Sequence, residues 1–217
     1  MKDLRELNME ITRRALKENI SRDIFIIQAI HTIDELVRIV NKFSALIRER
    51  YGYYAPRLSK SEDLNELFDG VFKRVREDVS VPMTNNDLNS IEELVLEIKS
   101  LSSLVKSQEI YLESLMKDIC PNLLSIASAL IGARLIDHAG SLKHLAELPS
   151  STIQVLGAEK ALFRHLKTGS KAPKFGVIFA HQSISNAENK GKASRRLASE
   201  ISKAVKIDYF RKTKTTF

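Results

Sequence analysis

Two long stretches of this chain repeat their apolar residues at alternating steps of four and three. The first repeat contains Ile26, Ile30, Ile33, Val37, Val40, Ser44 and Ile47, and the second contains Ile91, Leu94, Ile98, Leu101, Val105, Gln108, Leu112, Leu115 and Ile119. A mean spacing of about 3.5 residues is typical of coiled-coil helices. We predict one helix that ends near Tyr51, a second that starts near Asn86 and ends before Pro121, and an antiparallel hairpin of the two.

Shorter amphipathic patterns flank these repeats. Residues 2–20 predict a helix with Leu4 and Leu7 on its apolar side, and residues 61–80 carry a weaker helical pattern. From residue 122 onward the apolar residues become dense, which favours a compact helical domain. The expected fold class is all-α. An N-terminal helix and an antiparallel coiled-coil hairpin would occupy residues 1–120, and a compact helical domain would occupy residues 121–217.

Basic residues are concentrated in the last third of the chain. Residues 151–217 contain 14 Lys and Arg against 4 Asp and Glu, whereas residues 1–150 contain 20 against 23. The two regions therefore carry net charges of +10 and −3, within a total of +7. A basic segment beside a near-neutral one predicts a surface for a polyanion, and RNA, DNA or an anionic membrane would all suit it.

The stretch LGAEKALFRHLKTGSK, residues 156–171, is the strongest candidate for such a surface. Read as a helix that opens at Gly157, it carries one basic row. The row consists of Lys160, Arg164, Lys167 and Lys171. The free amides at the helix start, together with the missing glycine side chain, would suit a phosphate. A solvated helix face is the competing interpretation, because most basic rows simply face water.

Further basic side chains follow in two segments. Lys174 precedes Phe175. A polar and basic segment over residues 183–196 then contains Asn189, Lys190, Gly191, Lys192, Arg195 and Arg196, and a final helix is predicted after it from Leu197 onward. These residues are phosphate-binding candidates, since Gly191 between two lysines permits a close backbone approach. Phe175 and Phe179 are interpreted as packing residues, with stacking on an unpaired base as the alternative.

The sequence offers little for catalysis or metal binding. His138 and His144 do not have a usual ligand spacing, and Ser141 does not stand in a G-x-S-x-G motif. Phosphate-loop motifs are absent, so nucleotide hydrolysis is not expected. The single cysteine, Cys120, cannot form an intramolecular disulfide. We therefore predict a protein that is not an enzyme and uses no catalytic residue, metal or cofactor.

Several motifs resemble the Nop-domain family, and in particular its archaeal member, a core protein of box C/D guide ribonucleoproteins. They are RERYGYYAPRL from Arg48, the run from Cys120 to Phe179 that contains GAEKALFR, and the later NKGKASRRLA and IDYF. The resemblance implies a Nop domain over residues 121–217. Such a domain would recognise a kink-turn of box C/D RNA together with the small ribosomal-protein-like binder already on it. The chain would then be a scaffold that helps to position the 2′-O-methyltransferase fibrillarin.

The same resemblance implies roles for individual residues. Contact with the RNA and its bound protein would be made by Gly157, Ala158, Glu159 and Lys160. The RNA would also lie along Arg164 and Lys167. Phosphates would be approached by Lys174, Asn189, Lys190, Lys192 and Arg195. The coiled coil would pair two copies of the chain. The location implied is the cytoplasm in an archaeon or the nucleolus in a eukaryote.

Two departures from the family pattern leave alternatives open. The family's N-terminal domain, which holds fibrillarin, is expected to be missing, so that the chain is either a fragment or a version that cannot recruit that enzyme. The segment 180–187 does not match closely enough to carry a role. An alternative function of a different class is a coiled-coil adaptor whose basic face binds an acidic protein or a membrane surface.

Overall fold

The computed structural model describes residues 3–19 and 21–214, with side chains described for residues 3–15 and 21–211. The regular elements of this part of the chain are all helical and it contains no strand, which confirms the all-α prediction. The α-helices are α1 (Leu4–Asn19), α2 (Asp23–Tyr51), α3 (Leu64–Phe72), α4 (Asn85–Ile119), α5 (Pro121–Ala127), α6 (Ala129–Ala139), α7 (Leu142–Glu147), α8 (Ser150–Val155), α9 (Glu159–Thr168), α10 (Gln182–Ser185) and α11 (Lys190–Lys214). Short 3-10 turns lie at Leu58–Lys60 and Val177–Ala180.

The two heptad repeats form the long helices α2 and α4, close to the predicted bounds. α2 ends at Tyr51 and α4 ends at Ile119, two residues before Pro121, where the proline ring prevents the ladder from continuing. Most positions of the repeats are buried or half-buried, but Val37 is 40% exposed. The antiparallel coiled-coil hairpin stays a prediction.

The chain divides into two compact units that do not follow chain order. Unit 1 consists of the described residues up to 30 and from 110 onward, and unit 2 consists of residues 31–109. Both long helices therefore begin in one unit and end in the other. The domain boundary expected at residue 120 stays a prediction.

Unit 2 is held together by one hydrophobic cluster. The cluster contains Ile47 and Tyr51 from α2, Leu67, Phe68 and Val71 from α3, Leu88, Ile91, Val95 and Ile98 from α4, and Ala55 from the loop after α2. Tyr51 is fully buried, and its hydroxyl lies 2.9 Å from the carbonyl oxygens of Gly70 and Val75. The helix predicted over residues 61–80 is shorter in the structure, because the backbone turns at Arg74 with a φ of 50°.

In unit 1, α11 is the central element and packs against α5, α7 and α8. Its buried side carries Leu197, Ala198, Ile201, Ala204 and Val205. Asp208 on the same helix is buried, and its carboxylate accepts hydrogen bonds from the amides of Asn122 and Leu123 at 3.1 and 2.8 Å. Asp23 accepts in the same way from the amide of Leu142 at 2.6 Å. These buried carboxylates satisfy the free amides that begin α5 and α7.

Candidate nucleic-acid interface

The chain enters α9 from a segment that is paired with residues 176–177. The Gly176 amide donates to the carbonyl oxygen of Gln154 at 2.9 Å. The Val177 amide donates to the carbonyl oxygen of Leu156 at 2.8 Å. A Cβ at Gly176 would overlap the Leu156 carbonyl, so a side chain does not fit there. The segment around Val177 therefore lies directly against the residues that lead into α9.

Gly157 is required by the fold itself. Its φ is +86°, in the left-handed region, and a Cβ here would collide with the side chain of Val177. The space that the sequence suggested for a ligand is thus filled from within the chain. The prediction that the helix opens at Gly157 is wrong, since α9 begins at Glu159 with Ala158 as its N-cap residue.

The carboxylate of Glu159 lies against the backbone amide of Gly157, two residues before the start of α9. Its Oε1 accepts a hydrogen bond from the Gly157 amide at 2.6 Å and lies 3.8 Å from Nδ1 of His138. Partial burial raises the pKa of Glu159, but hydrogen bonds from the Gly157 and Glu159 amides and the charge of His138 outweigh burial and bring the pKa below its ordinary value. The place expected to hold a phosphate therefore holds a carboxylate of this chain.

The basic row on α9 is exposed. Lys160, Arg164 and Lys167 all face solvent, and within the described part of the chain no carboxylate forms an ion pair with them. Lys171, predicted as the fourth member of the row, lies beyond the helix, which ends at Thr168. Three cations without an acidic partner on one short helix form a surface that attracts anions.

Apolar side chains lie beside this row. Phe163 is 67% exposed and Leu166 is 71% exposed, and no residue of α9 is fully buried. Ala161, Leu162 and His165 are half-buried. At helical spacing Phe163 neighbours both Lys160 and Lys167. The free surface of α9 therefore combines a phenyl ring with cations.

A second basic group lies at the start of α11. The prediction that NKGKASRR is a polar segment before the final helix is wrong, because α11 already begins at Lys190. Asn189 caps the helix, with its Oδ1 accepting from the Lys192 amide at 3.0 Å. Lys190, Lys192 and Arg195 are exposed, and the first turn contains no acidic residue. Cations at the positive end of a helix destabilise it slightly, so their placement here favours a role in binding an anion.

Lys174 is connected to α11 through its backbone. Its carbonyl oxygen accepts a hydrogen bond from the side-chain amide of Gln154 at 2.6 Å. It also lies 3.4 Å from the hydroxyl of Ser194, a fully buried residue of α11. The backbone is thus held while the Lys174 side chain remains exposed. These bonds bring Lys174 close to the first turns of α11.

An aromatic pair lies between Lys174 and α11. The rings of Phe175 and Phe179 stack with centroids 4.4 Å apart, and Nζ of Lys190 lies 5.3 Å from the Phe179 centroid. The geometry is that of a cation–π contact. The two rings pack on each other, but Phe179 is 39% exposed and is therefore not a core residue, so stacking on an unpaired base stays the alternative.

An open cavity of about 630 Å³ lies between α5, α10 and α11. Its lining includes Ser125, His181, Ser183, Asn189, Lys192 and Arg196. Two of these, His181 and Ser183, belong to the segment 180–187, to which the sequence assigned no role. Their neighbour Ser125 on α5 is distant along the chain, so no local motif indicated this grouping. Over the described residues, no cluster of three or more His, Cys, Asp and Glu side chains could hold a metal ion.

Comparison with known proteins places these features in a family context. A profile described as Nop, "snoRNA binding domain, fibrillarin", matches residues 59–217. Nucleolar protein 56 of Homo sapiens is 38% identical over 244 residues, which cover 97% of this chain and 41% of that protein. Nucleolar protein 58 of Schizosaccharomyces pombe is 35% identical over 241 residues, which cover 97% of this chain and 47% of that protein.

A solved structure is similar as well. A chain in the crystal structure of a fibrillarin/Nop5p complex aligns with a TM-score of 0.58 and 25% sequence identity, over 96% of this chain and 70% of that chain. The present chain spans less than half the length of the two nucleolar relatives. It therefore corresponds to a part of them.

Proposed function

This chain belongs to the Nop family, and we propose that it is an RNA-binding scaffold of a box C/D guide ribonucleoprotein. In this role it recognises a kink-turn RNA together with a small ribosomal-protein-like partner, and it helps to position fibrillarin on the target RNA. The family match and the two nucleolar relatives support an RNA-binding scaffold rather than an enzyme.

The observation that carries the proposal is the exposed row of Lys160, Arg164 and Lys167. Cations without acidic partners bind phosphates and release counterions when they do so. Lys174 and the cations at the start of α11 extend the same kind of surface within unit 1. A nucleic acid carries one negative charge for each nucleotide, so it can contact several separate cations at once, which a single small anion cannot do.

Exposed apolar groups on α9 support a composite partner. Phe163 and Leu166 lie beside the cations and are more than half exposed. A phosphate backbone makes no use of such side chains, whereas an unpaired base or the surface of a bound protein does. An RNA that already carries a protein offers both kinds of contact to the same helix.

We also propose that the long helices pair two copies of the chain. In unit 2, apolar side chains outside the hydrophobic cluster remain more than one-third exposed. They are Val37, Phe43 and Leu46 on α2 and Leu96 and Leu104 on α4. Helices that keep apolar residues on a second face are suited to pack against further helices.

The test is binding of the double variant Lys160→Ala, Arg164→Ala to a pre-formed complex of kink-turn RNA and its ribosomal-protein-like binder. We expect weaker binding and a log–log salt slope that is flatter by about 1.4 to 1.8, since each phosphate that is no longer neutralised flattens the slope by about 0.7 to 0.9. A gel shift at several salt concentrations measures both quantities.

The matched control is Lys203→Ala, Lys206→Ala, which removes the same charge from exposed positions of α11. It should change binding much less than the α9 variant. Equal effects of the two variants would show that only net charge matters and would remove the assignment of the site. If the wild-type protein binds acidic protein or anionic vesicles but not the RNA complex, the adaptor function replaces the proposed one.

A further inference from the structure

The cavity between α5, α10 and α11 is lined by both apolar and polar residues. Its volume of about 630 Å³ lies within the range of roughly 300–1,000 Å³ that is usual for sites that bind small organic groups. The apolar part of the lining contains Ile126 and Ala193, which are half-buried, and Leu197, which is buried. A ring can pack against these side chains, whereas a phosphate group by itself makes no use of them.

The backbone of α10 fixes the proton of His181, which also lines the cavity. Nδ1 of His181 accepts a hydrogen bond from the Ser183 amide at 3.2 Å and lies 2.7 Å from the Ser183 hydroxyl. A backbone amide can only donate, so the neutral ring carries its proton on Nε2. His181 therefore offers a hydrogen-bond donor at Nε2.

The polar lining from α11 also consists mainly of donors. Lys192 and Arg196 are exposed, lie one turn apart, and face a single lining carboxylate, that of Glu200. Arg196 uses its Nε for Glu200 at 3.0 Å, which leaves its two terminal nitrogens. Within the described part of the chain, Lys192 forms no ion pair. Two cations against one carboxylate, beside a donating imidazole, suit an anion that is rich in acceptors.

We propose that this cavity binds one unpaired nucleotide of the bound RNA, with the base against its apolar residues and the phosphate at Lys192 and Arg196. The inference rests on the proposed RNA-binding function and extends it from phosphates to a base. A base that is stacked in a duplex cannot enter a cavity, so the nucleotide comes from a loop, a bulge or a single strand. The segment 180–187 thereby acquires a role, since Nε2 of His181 can donate to an acceptor on the edge of the base.

An RNA strand suits the cavity better than a free nucleotide does. The cavity is open to solvent, so the chain of a polynucleotide can leave it on either side of the bound residue. Lys190 and Arg195, next in sequence to the lining residues Asn189 and Arg196, are exposed and extend the positive charge beyond the cavity. Phosphates that flank the bound nucleotide can lie on these cations.

The test compares a short single-stranded RNA that contains all four bases with an abasic strand that has the same number of phosphates. We expect the wild-type protein to bind the base-containing strand about fivefold more tightly, because contacts with an unpaired base add to those with phosphates. Ala193→Leu fills part of the cavity without changing the charge. It should remove most of this preference and leave binding of the abasic strand unchanged, as measured by fluorescence anisotropy.

His181→Asn provides a second variant. Asparagine is favoured at the start of a helix and can still accept from the Ser183 amide, but it lacks the Nε2 donor. We expect it to weaken binding of the base-containing strand about threefold and to leave binding of the abasic strand unchanged. His144→Asn is the matched control, since His144 lies in α7, has a side chain that is 57% exposed, and is not part of the cavity lining. It should bind both strands as the wild-type protein does.

Thermal melts establish that each variant is folded, and His181→Asn still decides the question if Ala193→Leu is not. The inference is overturned if the wild-type protein binds both strands equally, or if neither variant reduces the preference for the base-containing strand. It is also overturned if a mixture of the four free nucleoside monophosphates binds as tightly as the strand and displaces it. Failure of the proposed function has a separate signature, because the wild-type protein would then not bind the complex of kink-turn RNA and its protein partner, while the comparison of the two strands would still decide the inference.

Discussion

Replacement of Ser128 by glycine should stabilise the protein. Ser128 connects α5 and α6 with φ 64° and ψ 166°, a region of the backbone map that is essentially restricted to glycine. Holding a residue with a Cβ in such a region costs about 1–3 kcal/mol. Glycine instead loses about 0.5–1 kcal/mol more in conformational entropy on folding. The difference predicts an increase of about 1 kcal/mol in the free energy of unfolding.

The Ser128 side chain makes no hydrogen bond that glycine would remove. It is exposed, and its hydroxyl has no hydrogen-bond partner among the described residues. The backbone hydrogen bonds from Ser128 to Leu124 at 3.1 Å and from Gly132 to Ser128 at 3.0 Å do not involve the side chain. The substitution therefore isolates the backbone strain.

Urea unfolding followed by circular dichroism measures the change. Ser128→Ala is the first control, because it removes the hydroxyl but keeps the Cβ, and it should give no gain. Arg74→Gly is the second. Arg74 also has a positive φ, but its guanidinium donates three hydrogen bonds of 2.7 to 3.2 Å to side chains of α4, which glycine cannot make. If Ser128→Gly proves no more stable than Ser128→Ala, backbone strain at this position is refuted.

Three further predictions concern stability. Asp208→Ala should lower the free energy of unfolding by about 3 kcal/mol, as measured in urea, because it leaves buried donors at the start of α5 without a partner. Gly176→Ala should destabilise the protein strongly, because the added Cβ meets the Leu156 carbonyl. Its control is Gly191→Ala in the first turn of α11, where a Cβ has only ordinary contacts, and this variant should be neutral or stabilising in thermal melts. Burial raises the pKa of the Tyr51 phenol to about 12, above about 10 in the unfolded chain. The fold thus favours the neutral phenol. Urea unfolding should show the full free energy of unfolding below about pH 10 and a loss of about 2–3 kcal/mol as the pH rises to about 12. Tyr51→Phe should show no such loss.

Helix positions were largely predictable because apolar spacing is a local property of the chain. The heptad repeats indicated α2 and α4 within a few residues of their observed bounds, and Pro121 indicated the end of α4. The prediction was less accurate at the ends of short helices. α3 ends at Phe72 rather than near residue 80, and the reason is a backbone turn that no apolar pattern reports.

The candidate site was predicted in part. The row of Lys160, Arg164 and Lys167 followed from helical spacing alone, and all three are exposed. Helical spacing did not show that Leu166 is exposed, because an apolar position on an amphipathic helix is buried only when another element covers it. The start of α11 was placed too late, because the cap formed by Asn189 was not recognised within a polar segment.

By itself, the sequence determined the helical fold class, the two long helices and the existence of a cationic helix face, since each depends only on the spacing of residues a few positions apart. The tertiary structure decided which of these features are available to a partner. Val177 fills the space beside Gly157, and Gln154 holds the backbone of Lys174, because segments about twenty residues apart meet in the packed unit. The Glu159 carboxylate accepts a hydrogen bond from the Gly157 amide because the backbone turns back at Gly157. Such contacts depend on how the elements pack, and this packing cannot be predicted from the periodicity of residues along the chain.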